Sequence, residues 1–159
     1  MSDLVAHMKA AEPFFTEVQV DFMDGIFVTN KSISSKEARQ LSTTLKLEAH
    51  LMVQDPLAWI EDLAAAHFKK IIVHQEIGSG LVGALHLINS LGLEAGLAIN
   101  PDSDPALTQD WWREVTTIQV MGVIPGHSAA TFQPQSLEKL RWINEHGFSG
   151  LLQIDGAVS

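Results

Sequence analysis

The sequence predicts an α/β fold built on a parallel sheet, and three observations carry that expectation. Six short apolar stretches alternate with helical segments of about three turns. No hairpin signal joins any two of the stretches, so successive strands connect through crossovers. Polar side chains stand at the ends of several strands, where parallel α/β folds place their sites. Two closures satisfy this pattern equally: an open doubly wound sheet and a (β/α)8 barrel. The absence of Gly-x-Gly-x-x-Gly after the first strand weighs against a dinucleotide-binding fold.

Taken in order, residues 2–12 read as a helix, with Leu4, Val5, Met8 and Ala11 at helical spacing and Pro13 ending the pattern. The first strand runs from Val18 to Phe22. A loop from Asp24 through Ser34 follows, in which Asp24 pairs with Gly25 as a turn residue. Ser35 is expected to cap a second helix reaching Leu45, with Ala38 and Leu41 facing inward. The second strand spans Leu47 to Val53. Asp55-Pro56 signals a third helix by N-cap and first-turn proline, with Leu57, Ile60, Leu63 and Ala64 buried.

Lys70 to His74 is an apolar strand, followed by a loop containing Gly78 and Gly80. The helix from Leu81 to Leu91 carries Val82, Leu85, Ile88 and Leu91, and Gly92 closes it. Glu94 to Ile99 is a strand, and Asp104-Pro105 introduces a short helix reaching Trp111 and Trp112. Thr117 to Val123 is the fifth strand. Leu137, Leu140, Ile143 and Asn144 mark the last helix, closed by Gly147, and Phe148 to Ile154 is the sixth strand. Trp111, Trp112 and Trp142 are expected to pack helices onto the sheet.

The alternation of side chains concentrates chemistry on one face. Gln19, Asp21 and Met23 share a face of the first strand. Glu48, His50 and Met52 share one on the second, and Gln153 and Asp155 on the last. Three strand ends thus offer Asp, His and Asp.

Composition narrows the function. The 159 residues suffice for one full core, and 46% hydrophobic content marks a folded protein. The net charge of −9 argues against a nucleic-acid partner, which needs clustered positive charge. It leaves room for a small anionic substrate held by backbone N–H groups. There is no cysteine, which removes disulfides and thiolate metal sites. No apolar run has the length of a membrane span, and the start lacks the layout of a signal peptide, so a cytoplasmic location is expected.

Five motifs resemble one family. Val20-Asp-Phe-Met-Asp-Gly-Ile-Phe-Val28 with Asn30 is similar to the "VDxMDGxFVxN" signature of ribulose-phosphate 3-epimerases. His50-Leu-Met-Val53 with Pro56 resembles their "HLMV…P", and Ala95-Gly-Leu-Ala-Ile-Asn-Pro101 their "AGxAxNP". Val120-Met121 with Pro125-Gly126 resembles "VMxVxPG", and Ile154-Asp-Gly-Ala-Val158 is similar to "VDGGV". They stand in the family's order and cover nearly the whole chain.

The resemblance implies a TIM-type (β/α)8 barrel and an isomerase that epimerises C3 of a pentulose 5-phosphate, D-ribulose to D-xylulose 5-phosphate, in carbohydrate metabolism. It implies Asp21 and Asp155 as the acid–base pair passing through an enediolate. A divalent cation of the Zn, Fe, Mn or Co class would be held by Asp21, His50 and Asp155, in a pocket lined by Gln19, Met23, Met52 and Met121. His50, Gly126, His127, Ser128, Ala129 and Gly156 would contact the phosphorylated sugar. The orotidine-type decarboxylases are set aside, because their Asp-x-Lys-x-x-Asp is not matched by Asp21-Phe-Met-Asp24.

Three departures from the family pattern stand out. The family's other metal histidine falls at Gln19, a neutral and weaker ligand than imidazole. The phosphate loop "NPGFGGQ" is replaced by Ile124-Pro-Gly-His-Ser-Ala-Ala130, which keeps Gly126. The opening strand with "PSxLS" and an eighth strand with its glycine-serine loop are not matched, and a complete barrel needs about 200 residues or more. The expectation is therefore a single barrel domain over residues 1–159, truncated at both ends, with about six parallel strands and a homo-oligomer as one way to cover the open edges. Alternatives are an impaired family member that binds a sugar phosphate or a protein partner, and an epimerase of a hexulose 6-phosphate.

Overall fold

The computed structural model describes residues 2–126 and 131–157. Helix α1 covers Ser2–Ala11, β1 Glu17–Met23, α2 Ser35–Ala38, β2 Lys46–Met52, α3 Leu57–Ala65 and β3 Lys70–His74. After a 3-10 turn at Gln75–Ile77 come α4 Gly80–Ser90 and β4 Glu94–Ile99. A 3-10 helix at Pro105–Trp111 leads to β5 Thr117–Met121, α5 Gln135–Glu145 and β6 Leu151–Asp155. The six strands form one sheet in the order β1-β2-β3-β4-β5-β6, and every pair is parallel. The sheet curls into a half-barrel with helices alternating between its strands, an incomplete α/β barrel.

The two faces of the sheet differ in chemistry because the strands alternate. One face carries Phe22, Leu51, Ile71, Leu97 and Ile118, which pack with Ile60, Leu63, Leu85, Ile88 and Ile143 of the helices in one buried apolar core. Phe22 meets Phe68 edge-on at 5.6 Å and Trp59 at 5.8 Å, a favourable arrangement of ring quadrupoles. Trp111, Trp112 and Trp142 pack against this core, as expected. The other face is concave and polar: Glu48, His50, Lys70, His74, Thr117 and Gln119 all point into it and are buried.

Several boundaries depart from the sequence-based expectation. Helix α2 is one turn and does not reach Leu45. Its N-cap is Ser34, not Ser35, in a reciprocal capping box with Glu37. The Ser42-Thr43-Thr44 run then leaves the helix because Glu12 takes it: Thr43 Oγ1 and the Thr44 N–H both donate to Glu12 Oε1, at 2.7 and 3.0 Å. At α3 the N-cap is Pro56 rather than Asp55, and no side chain caps it. Leu57, Val82, Leu91 and Leu137 are exposed, so the buried stripes are narrower than predicted. Strand β5 stops at Met121 and β6 starts at Leu151, each shorter than the apolar run around it. Asp104 caps the 3-10 helix by accepting from the Ala106 N–H, as its proline predicts.

Asp24 fulfils the turn role read from its sequence. Its carboxylate accepts the backbone N–H groups of Ile26, Phe27 and Gln54 at 2.7, 2.9 and 2.7 Å, and so ties the β1 exit to the β2 exit. Gly25 follows with φ +78°, a left-handed conformation suited to glycine. Partial burial alone would raise the Asp24 pKa, but the three N–H donors outweigh it and the pKa lies below the usual carboxylate value.

Two predictions arise from this architecture. A depressed carboxyl pKa stabilises the fold above the unfolded pKa, and that contribution fades as pH falls through the folded pKa. Asp24→Asn should therefore lower stability by about 1–3 kcal/mol at pH 7. The gap to the wild type should close below about pH 3.8. Urea titrations across pH measure this, and an equal gap at both ends of the range would refute the role of the charge. Deeper in the concave face, Lys70 Nζ pairs with Glu48 Oε2 at 2.8 Å, and both side chains are at least 94% buried. Lys70→Met should cost about 3–5 kcal/mol by stranding the Glu48 charge, and the double variant with Glu48→Leu should recover most of the loss. Additive losses in that double-mutant cycle would overturn the pairing.

Candidate active site

The site lies where β1, β2 and β6 converge at their C-terminal ends. Register places Asp21 directly beside His50 on the adjacent strand. Asp155, the last residue of β6, approaches from across the concave face. His50 Nδ1 stands 3.2 Å from Asp21 Oδ1 and 3.3 Å from Asp155 Oδ2. The imidazole is fully buried, whereas the Asp21 and Asp155 side chains are 45% and 28% exposed. The ring thus forms the floor of the site, and both carboxylates reach solvent on the open side.

Each carboxylate has a glutamine donor. Gln19 Nε2 donates to Asp21 Oδ1 at 3.2 Å, and Gln119 Nε2 donates to Asp155 Oδ2 at 3.3 Å. Behind His50 lies a second imidazole: His50 Nε2 and His74 Nε2 are 2.9 Å apart, with the rings stacked at 5.0 Å. His74 Nδ1 in turn faces Glu76 Oε2 at 3.1 Å. His74, Glu76 and Gln119 were not singled out from the sequence. For His74 and Gln119 the signal is the period of two, since His74 shares a face with Lys70 and Ile72, and Gln119 with Thr117 and Met121; Glu76, in the 3-10 turn, has no such signal.

Electrostatics separate the two histidines. Burial alone would pull the His50 pKa down, but the hydrogen bonds and charges of Asp155 and Asp21 outweigh it and raise the value to about 9. Burial dominates at His74 and lowers its pKa, against the opposing pull of Glu76. For Glu76, burial would raise the pKa, yet donors from His74, Ser103 and Asn100 bring it below the usual value. Asp155 is likewise lowered, because His50 overcomes its burial. The site therefore keeps Asp155 and Glu76 ionised at neutral pH.

Among the described residues, Asp21, His50 and Asp155 form a group whose ligand atoms all lie within 4.8 Å of one another. A cation with ligand bonds of about 2.1 Å sets neighbouring ligand atoms roughly 3.0–3.4 Å apart. The 3.2 and 3.3 Å spacings around His50 Nδ1 match that edge. The donor set fits a divalent metal: one imidazole and two carboxylates. Gln19, by contrast, turns its amide nitrogen, which has no ligand lone pair, toward Asp21. Met52 and Met121 are buried on the concave face and Met23 is half-buried on it, and the Met121 sulfur accepts from Gln119 at 3.8 Å.

Glycines shape the rim. Gly156, directly after Asp155, has φ +100°, and a Cβ there would overlap the Val123 side chain. Gly126 has φ +79°, packs against Val28, and its carbonyl accepts from Asn30 Nδ2, which joins the β1 and β5 exit loops. His127, Ser128 and Ala129 lie outside the described residues.

The comparisons with known proteins agree with this geometry. Residues 2–159 match the model of the ribulose-phosphate 3 epimerase family. The ribulose-phosphate 3-epimerase of Escherichia coli (strain K12) is 34% identical over 148 residues, covering 89% of this chain and 66% of that protein. That of Chlamydia pneumoniae is 31% identical over 149 residues, covering 89% of this chain and 65% of the relative. The chain thus spans just under two thirds of the length of these curated relatives. In fold it is similar to a phosphoribosyl anthranilate isomerase from Thermococcus kodakaraensis, with TM-score 0.51 and 12% identity, over 97% of this chain and 85% of that one. Strand order, site placement and matched sequence lead to one conclusion: the chain belongs to the ribulose-phosphate 3-epimerase family.

Proposed function

We propose that the chain carries its family's reaction, epimerisation at C3 of a pentulose 5-phosphate that interconverts D-ribulose and D-xylulose 5-phosphate. The observation that supports this most is the meeting of two aspartates from opposite edges of the sheet over one buried histidine. Removing the proton at C3, next to the carbonyl, requires a carboxylate base, and inverting the centre requires an acid on the other side of the sugar. Asp21 and Asp155 take these roles. One accepts the C3 proton as the electron pair moves into the carbonyl to give an enediolate, and the other returns a proton to the opposite face.

His50 holds both carboxylates in place from below, while Gln19 and Gln119 fix one oxygen of each. Asp21, His50 and Asp155 would hold a divalent cation, which when bound supplies a Lewis acid that stabilises the developing oxyanion. The phosphorylated end of the sugar would lie toward Gly126 and Gly156, with His127, Ser128 and Ala129 assigned to it from the sequence motif alone.

A second reading is a relative that binds a sugar phosphate without turning it over. It is favoured by Gln19, which offers Asp21 an N–H donor where an imidazole would offer a lone pair.

Metal content and D-ribulose 5-phosphate turnover separate the two readings. With the epimerase reading, Asp21→Asn and Asp155→Asn should each cut turnover by about 10²–10⁴-fold and lower bound metal. Wild-type turnover no higher than that of Asp21→Asn, with no stoichiometric metal, would sink the epimerase reading in favour of binding alone.

A further inference from the structure

Resting on the phosphate placement proposed above, we infer that the loop leaving β1 positions Gly126, through Val28 and Asn30, for the phosphorylated end of the sugar. Strands β1 and β5 stand four places apart in the sheet, and no ladder joins them. Their exit loops nevertheless meet across the mouth of the half-barrel. The Asn30 side chain donates from Nδ2 to the Gly126 carbonyl at 2.5 Å. Val28 is buried, and a Cβ on Gly126 would lie 2.7 Å from the Val28 Cβ. Gly126 is thus held by one polar contact and one steric contact, both from the same loop.

A contact at the tip of a loop positions its partner only when the loop itself is fixed. This one is closed at its base, where Asp24 and Lys31 form an isolated antiparallel bridge. Ser32 returns to Met23 twice: its N–H donates to the Met23 carbonyl at 3.1 Å, and its hydroxyl accepts the Met23 N–H at 2.9 Å. The Asp24 carboxylate gathers the Ile26 and Phe27 N–H groups from inside. Midway along, the Phe27 ring rests on His74, with 4.8 Å between ring centres. Base, middle and tip are each tied, so the loop reaches from β1 past the end of β3 to the end of β5 as one braced piece.

The contact matters for an anion because of what it does with an oxygen. Backbone N–H groups attract a phosphate, and carbonyl oxygens repel it. Gly126 sits at φ +79°, where glycine turns freely, and its carbonyl is the one committed to Asn30. That bond keeps the turn from relaxing into a conformation that presents the oxygen to the phosphate. Asp21 stands on the strand from which the loop leaves. One element then sets both an acid–base carboxylate and the phosphate end, and fixes the span between them.

Asn30→Leu keeps the size of the side chain and removes the donor. Amide shifts of the full chain on titration with inorganic phosphate report binding at Gly126. The wild-type Gly126 signal should move saturably, and the phosphate Kd should rise about 5–10-fold in the variant, the size of one net hydrogen bond. With D-ribulose 5-phosphate, KM should rise by about the same factor while kcat stays within about twofold, because uniform binding is lost. A loop that only braced the curl would lower the unfolding midpoint and leave both constants unmoved. A wild-type shift at Gly126 with an unchanged Kd in folded Asn30→Leu overturns the inference alone. Absence of any wild-type shift removes the phosphate placement and the inference with it, without need of a variant. Weaker phosphate binding in the variant, with no turnover by the wild type, leaves the inference standing and sinks the epimerase reading.

Discussion

The structure depends on contacts that cross the concave face from β2 to β6. These strands stand four places apart in the sheet, a separation of about 19 Å if the sheet were flat. Yet Gln153 Nε2 reaches Glu48 Oε1 at 3.1 Å, and Asp155 Oδ2 lies 3.3 Å from His50 Nδ1. Only a strongly curled sheet allows both. Strands β1 and β6 share no ladder, so among the described residues polar side chains span the interior where backbone hydrogen bonds would close a full barrel. The same contacts that hold the curl assemble the candidate site.

Those contacts fall into two layers. The lower holds Glu48, Lys70 and Gln153, and the upper holds Asp21, His50, Asp155 and His74. Dispersion and burial on the apolar face supply the bulk stability. The polar layers supply position instead, because a buried charge tolerates only geometries in which its partners are met. Gln119 and Gln153 each leave a buried Oε1 without a protein partner, so the interior keeps acceptor capacity that the protein's own donors do not fill. A carboxylate held above such a floor, ionised and open to solvent on one side, is placed to meet a polar substrate.

Much of this was legible in the sequence because alternation is a local property. Asp21, His50 and Asp155 could be assigned to one face of their strands without knowing the fold, and strands β3 and β4 could be bounded by residue. His74 escaped because it ends a strand that otherwise reads as plain core, Lys70-Ile-Ile-Val-His74. Only strand register, which pairs His50 with Ile72, brings it one pleat above and behind the site. Helix α2 stops short of its sequence-based expectation for a related reason. The segment that ends it is held by Glu12, some thirty residues earlier, and no local pattern reports such a contact.

Gln19 shows how one position can alter the balance of the site without disturbing its shape. Asp21 Oδ1 receives both the Gln19 amide and the His50 ring nitrogen, each at 3.2 Å. Both contacts fall on the same carboxylate oxygen, Oδ1. An imidazole lone pair at residue 19 would have added a ligand; an amide N–H adds a competitor. A cation that took Asp21 Oδ1 or Asp155 Oδ2 would compete there with the Gln19 or the Gln119 amide. Both aspartates are held by glutamine amides and by the shared histidine. In the epimerisation proposed above, two carboxylates placed on either side of His50 would exchange roles as base and acid when the reaction runs in reverse.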